Sequence, residues 1–288
     1  MSFKSSEFII NQDGSIYHLL LKPGEIANNI ITVGDSNRVD RVANHLDKIE
    51  ITRQNREFKT VTGSKNGRRI TIISTGIGTD NIDIVFNELD ALVNIDFPTR
   101  ELKQKLTQLS FYRIGTSGTL RADIPVDSHL ISVGAMDMGN LSDYYGYESE
   151  GLAKTIEEAI GKIDERLKSK AVIMADQSLV RSMTQKGHKY FKGITVTAPG
   201  FYAPQRRVLR LKTTMPDFAL LQHLDWEGIK ITNLEMETAG IYLLSKLLGH
   251  RAISFNAILA NRMTGEFSTQ SQVTIDSLIE KVVGQIAS

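Results

Sequence analysis

Short apolar runs that each stop at a glycine constrain this chain more than any other feature. Ile30 to Val33 ends at Gly34, Ile70 to Ile73 leads to Gly76, and Phe111 to Ile114 leads to Gly115. Strands buried on both faces read as continuous apolar stretches, and the loops at their carboxyl ends are where an α/β sheet binds ligands. Further strands are expected at Leu130 to Val133, Ala171 to Met174, Ile194 to Val196, Ile231 to Leu234 and Ile253 to Leu259. Between them apolar residues recur at helical spacing: Ile82, Val85, Phe86, Leu89 and Leu92, then Met236, Ala239, Gly240, Leu243, Leu244 and Leu247, then Ile275 to Ile286. The polar stretch from Phe97 to Gln108 reads as a surface helix or excursion, and Arg262 to Gln272 as a loop. No Pro/Ser/Gly-rich linker, repeat or charge block divides the 288 residues, so one α/β domain over 1–288 is expected.

Charge narrows the function. Thirty-four Lys and Arg stand against 33 Asp and Glu, which removes the electrostatic case for nucleic-acid binding and leaves room for a local anion site. There is no cysteine, hence no disulfide, thiolate nucleophile or Cys-type zinc site. No signal-peptide core and no membrane-length apolar run occurs, so a soluble, cytoplasmic protein free of membrane contact is the expectation. The six histidines contain no i, i+4 pair, so no metal site is expected. The third glycine of a dinucleotide fingerprint is missing after Gly76 and Gly78, and neither a P-loop nor a G-x-S-x-G elbow occurs.

Four segments remain that can carry chemistry. Gly34-Asp35-Ser36-Asn37-Arg38 follows a strand, so backbone N–H groups and an Arg one turn on could bind phosphate; the alternative is a turn capped by Asp35 or Ser36 with Arg38 in solvent. Arg113-Ile114-Gly115-Thr116-Ser117-Gly118 offers a guanidinium, two hydroxyls and two glycines, or else a plain glycine turn. Arg56 alone reads as surface charge. In Asn233-Leu234-Glu235-Met236-Glu237-Thr238 two carboxylates sit where an apolar strand becomes an apolar helix, suited either to capping or to accepting hydrogen bonds from vicinal ribose hydroxyls.

In their order, VGDSNRV, STGIG, RIGTSG and NLEMETAGIY resemble the phosphate, strand-loop and ribose motifs of the nucleoside phosphorylase superfamily, from about His18 to Arg262. Phe201-Tyr202-Ala203-Pro204-Gln205-Arg206-Arg207 resembles the base loop of its uridine phosphorylase branch, and Asn261-Arg262 stands where purine-handling relatives resemble Ser-Asp. The resemblance implies a three-layer α/β/α sandwich around a mixed central sheet. It also implies a pentosyltransferase that uses inorganic phosphate as co-substrate, without a cofactor, to split a pyrimidine nucleoside into free base and ribose 1-phosphate. Gly34, Arg38, Arg113 and Thr116 would hold phosphate, with Arg56 from a neighbouring subunit; Thr116, Met236 and Glu237 would hold ribose, with His18 from that neighbour. Ser117, Gly118, Phe201, Gln205, Arg207 and Glu235 would meet the base, and Arg113, Glu237, Gln205 and Arg207 would carry catalysis. A homodimer or hexamer with shared sites is implied. Asn81, in GTDN, replaces a serine that helps hold a monovalent cation in the family, and Pro204 and Arg206 depart from the residues expected there. Purine phosphorolysis, hydrolysis on the same fold and non-catalytic nucleoside binding are the alternatives.

Overall fold

The computed structural model describes residues 2–185 and 187–288. Its strands are β1 (Asn29–Val33), β2 (Lys48–Asn55), β3 (Phe58–Lys65), β4 (Arg68–Ser74), β5 (Ile95–Asp96), β6 (Glu101–Leu102), β7 (Ser110–Thr119), β8 (His129–Asp137), β9 (Val172–Met174), β10 (Phe191–Thr197), β11 (Asp225–Trp226), β12 (Ile229–Glu235) and β13 (Arg251–Asn261). The α-helices are α1 (Ser36–Ala43), α2 (Thr79–Asn94), α3 (Leu141–Tyr144), α4 (Gly151–Gly161), α5 (Gln177–Thr184), α6 (Thr238–Leu247) and α7 (Ser271–Ile286). The large sheet runs β11-β12-β10-β8-β13-β7-β1-β4-β3-β2, with β9 on β8. It is mixed: β1 is parallel to β4 and β7, while β3 is antiparallel to β2 and β4. Helix α1 packs with α7 and α2 with α6, each group against the strands. The expected mixed central sheet with helical layers is therefore the observed architecture.

Two features of the sheet position the site. First, β7 does not stop at Gly115 as its apolar run suggests. Strand β13 runs parallel to it from Ser110 opposite Arg251 to Thr119 opposite Asn261, so the ladder carries Gly115, Thr116, Ser117 and Gly118 along as strand. Second, the end of β7 also pairs antiparallel with β12, Gly118 against Leu234 and Thr119 against Asn233. Because β12 pairs with β10, β10 with β8 and β8 with β13, this contact closes five strands into a ring. Closure removes two open edges and turns RIGTSG from a loop into a wall.

Of the two readings of the segment from Phe97 to Gln108, the excursion is the observed one, held by the two-residue β5–β6 ladder. Two smaller differences are local. Met236 precedes α6 instead of sharing its buried stripe, because Glu235 and Glu237 occupy the turn before it. The loop after β13 ends at Gln270, and Ser271 and Gln272 already belong to α7. Among the described residues no helix is long and apolar enough to cross a membrane.

Candidate active site

One cavity of about 400 Å³ opens at the carboxyl ends of β1, β7 and β12. At its β1 end, Gly34 leads into α1, whose N-cap is Asp35; the Asp35 side chain accepts from the Arg38 N–H at 2.8 Å. The Asp35 cap is present, and Arg38 nevertheless lies in the cavity wall and not in open solvent. The cap starts the helix that turns Arg38 into the cavity, where its Nη2 lies 3.1 Å from Asp35 and its buried Nε has no partner. Burial lowers the Arg38 pKa from its ordinary value and Asp35 opposes that, leaving a cation with unused donors.

Arg113 is the centre of the site. Its buried guanidinium lies 2.5 Å from Glu237 and 2.9 Å from Glu235, and it donates to Asn256 Oδ1 at 3.2 Å. Gly115 makes this possible: a Cβ there would lie 1.7 Å from Arg113 Nη1, so any larger residue would push the guanidinium away. Two carboxylates thus balance the Arg113 charge without any bound anion. Burial works against its charge, but Glu235 and Glu237 outweigh burial and raise its pKa. Two carboxylates share that one cation, and burial pushes the Glu237 carboxyl above its usual range although Arg113 pulls it down.

Glu235 and Glu237 divide the work that their shared motif left undecided. The Glu235 carboxylate accepts from the backbone N–H groups of Glu237, the N-cap position of α6, and of Thr238, and from the Thr197 hydroxyl, so it satisfies the amides where the helix starts. With those bonds and Arg113 both its oxygens are engaged, so Glu235, although it lines the cavity, positions Arg113 and the turn. Glu237, by contrast, is held at one oxygen by the Gly78 N–H at 2.8 Å and at the other by Arg113. Gly78 has φ +98°, a conformation that lets its amide point at Glu237 and that suits glycine.

At the opposite end the base loop folds on itself. Gln205 is buried, its Oε1 accepts from Arg207 Nη1, and its Nε2 has no partner. Arg207 lies over the Phe201 ring at 3.8 Å, so Phe201 stacks on the guanidinium as well as lining the cavity. Burial, with Arg262 nearby, lowers the Arg207 pKa to about 10. Arg262 donates to the carbonyls of Gln205 and Arg206 at 3.0 and 3.4 Å and so clamps the loop. Arg206 takes the left-handed conformation and pairs with Asp217, which accounts for a long cation beside the base pair.

The cavity thus brings together Gly34, Arg38, Arg113, Thr116, Ser117, Gly118, Phe201, Gln205, Arg207, Glu235, Met236 and Glu237. It does not include His18 or Arg56. His18 Nδ1 is 2.6 Å from Glu88, its carbonyl accepts from Asn55, and Arg56 sits next to Asn55 at the β2–β3 turn with φ +52°. These two residues form a separate surface patch. Reasoning from sequence missed Asp35, Ile77, Leu259, Ala260 and Phe267 as lining residues, and Gly78 and Asn256 as supports. Asp35 in VGDSNRV and Ile77 and Gly78 in STGIG stood inside quoted motifs, whereas Ala260, Phe267 and Asn256 carried no signal. A buried chain also went unseen: Asn256 donates to Ser132, whose hydroxyl meets Thr195, which donates to Asn233, which donates to Ser117, joining the Arg113 end to the base end.

The profile of the Phosphorylase superfamily matches residues 29–286, from the start of β1 to the end of α7. The chain belongs to that superfamily. Its members include a uridine phosphorylase of Thermococcus kodakarensis, 30% identical over 92% of this chain and 84% of its own. A guanosine phosphorylase of Halorubrum lacusprofundi is 28% identical over 86% of this chain and 84% of its own. The solved Trypanosoma brucei nucleoside phosphorylase, described as showing uridine phosphorylase activity, superimposes with a TM-score of 0.88 at 28% identity, covering 98% of this chain and 99% of the other. The superfamily motifs are therefore those of a nucleoside phosphorylase, and the nearly complete overlap extends to the whole fold.

Proposed function

We propose that this phosphorylase cleaves a pyrimidine nucleoside, uridine foremost, with inorganic phosphate as co-substrate and no cofactor. One observation carries the reading: cationic donors, a buried carboxylate and an unpaired amide N–H line one cavity in that order, as phosphate, ribose and base would be laid out. Arg38, Arg113, Thr116 and the Gly34 amide hold phosphate; Met236 and Glu237 hold ribose; Gln205 and Arg207 hold the base, with Ser117, Gly118 and Phe201 around it. Bond breaking gives the sugar oxocarbenium character and the departing base negative charge. Phosphate and Glu237 stabilise the first, and Gln205 Nε2 and Arg207 stabilise the second, so no covalent nucleophile is needed. Uracil presents acceptors at O2 and O4 and a donor at N3. The second lone pair of Gln205 Oε1, beside the one taken by Arg207, suits N3–H. Arg262 in place of an Asp that would protonate a purine favours pyrimidine over the purine alternative.

Within this proposal the protein is cytoplasmic and forms one domain, the latter supported by a main cluster of buried apolar residues that runs from Phe8 to Ile286, beside a small one of Ile124, Leu130 and Ile258. We also infer a homo-oligomer in which the His18–Arg56 patch of one subunit completes the cavity of another. The deciding experiment is base release across a nucleoside panel with and without phosphate. Uridine cleaved only with phosphate is the expected result; equal rates without phosphate indicate hydrolysis, and faster inosine or guanosine turnover indicates a purine enzyme. For the shared site, His18→Ala and Arg38→Ala proteins, each nearly inactive, should recover about a quarter of wild-type sites on subunit exchange.

A further inference from the structure

A second cavity, of about 760 Å³, lies at the other end of the β8 and β10 strands. It is framed by the start of β8, the end of α5, the start of β10 and the side of α7. Lys189, Lys192 and Lys281 line it with His129 and Asp127. Three cations face one carboxylate, and that carboxylate is already engaged: Asp127 accepts from the hydroxyls of Ser268 and Thr274 and from the Gln270 amide. The partner shown for Lys281 is not a carboxylate but the His129 ring, at 3.1 Å. His129 is buried, bonded through Nε2 to the Thr274 carbonyl and through Nδ1 to the Lys281 ammonium. A ring that accepts from an ammonium is neutral, and burial with the adjacent Lys281 lowers its pKa. His129 therefore orients Lys281 without adding charge. Tyr190, Phe191 and Val273 supply an apolar wall beside the cations.

Positive charge concentrated in a concave, partly apolar space is a recognisable chemistry, because lysines bind phosphate as point charges and the wall can cover an uncharged body. We propose that this cleft is a second ligand site, distinct from the active cavity, for a phosphate monoester that carries an apolar or aromatic group. The volume is within the range of small-molecule sites. Lys189 and Lys192 would reach the phosphate from the β10 side and Lys281 from α7, with Phe191 and Val273 against the organic group.

The test is calorimetric titration of the full chain with phenyl phosphate at low ionic strength, in an Arg38→Ala background that weakens anion binding at the active cavity. Phenyl phosphate should bind at least tenfold more tightly than inorganic phosphate. A Lys189→Ala, Lys192→Ala double variant should lose at least tenfold, and the corresponding double change to Arg should retain binding. Both lysines are exposed, so circular dichroism should show the variants folded. Lys281→Met, which keeps the apolar stem, provides an independent loss from the other wall. Binding by the double Ala variant equal to its parent, or no preference for phenyl phosphate over phosphate, overturns the proposal. No binding at all, as a cleft covered by a second copy of the chain would give, overturns it too. None of these readouts depends on nucleoside turnover, so failure here leaves the catalytic reading intact.

Discussion

At the proposed phosphate end of the cavity Arg113 is buried between strands, while at the proposed base end Phe201 and Tyr202 are 49% and 55% exposed on a loop. The contrast extends to how each cation is held. Arg113 is fixed by two carboxylates and an asparagine from β12, β13 and the turn before α6, groups more than 120 residues away in sequence. Arg207 is held by residues two and six positions away, Gln205 and Phe201, and its loop is clamped by Arg262. The first end is a charge-balanced part of the folded core, so its chemistry and its stability are one quantity. The second is a local structure laid over the cavity, whose side chains can change without unfolding the sheet.

The largest effect expected from this contrast is that of Arg113→Ala. It strands two buried carboxylates, and breaking a buried pair costs about 3–5 kcal/mol of stability, with kcat/KM falling roughly 10²–10³-fold. Arg207→Ala should lower kcat/KM for uridine about 10–100-fold, in line with ~1.5–3 kcal/mol for a charge-assisted bond, and leave the melting temperature nearly unchanged. Denaturant melts and steady-state kinetics on both variants test the contrast. Equal destabilisation would erase the distinction between the ends.

Glu237→Gln sharpens the comparison from the middle of the cavity. It should lose about tenfold more on ribosides than on 2′-deoxyribosides, because the second substrate lacks the 2′-hydroxyl and has one fewer bond to forfeit. The same loss on both sugars would confine Glu237 to balancing Arg113.

The smallest expected change is at Asp127, outside the cavity. Its carboxylate holds the Ser268 hydroxyl, the Ser268 N–H is bonded to the Leu259 carbonyl, and the neighbouring Phe267 lines the cavity. Asp127→Asn should raise the nucleoside KM only a few-fold, leaving the phosphate KM unaltered in the same assays. A change confined to phosphate would place the Phe267 loop with the other end.

Local order was legible in the sequence wherever a few consecutive residues carry both structure and chemistry. Gly34 to Arg38 is such a case, since a strand end, an Asp cap and an Arg one turn on follow from spacing alone. The base loop is another, with Gln205, Arg207 and Phe201 in one turn. Periodicity states which face of a strand or helix is buried but names no partner. Thus β7 was read as ending at Gly115, because its continuation depends on β13 and β12. The sharing of Arg113 between Glu235 and Glu237, the Gly78 amide at Glu237, and the arrival of Ile77 and Phe267 at the cavity were likewise settled by the closing of the sheet. The sequence by itself determined the phosphorylase motifs, the alternation of strands and helices, and the local loops from Gly34 to Arg38 and from Phe201 to Arg207. Only the tertiary structure decided which carboxylate takes the amides at the start of α6 and which takes the Gly78 N–H, because that choice depends on bonds formed across the ring of strands by groups far apart along the chain.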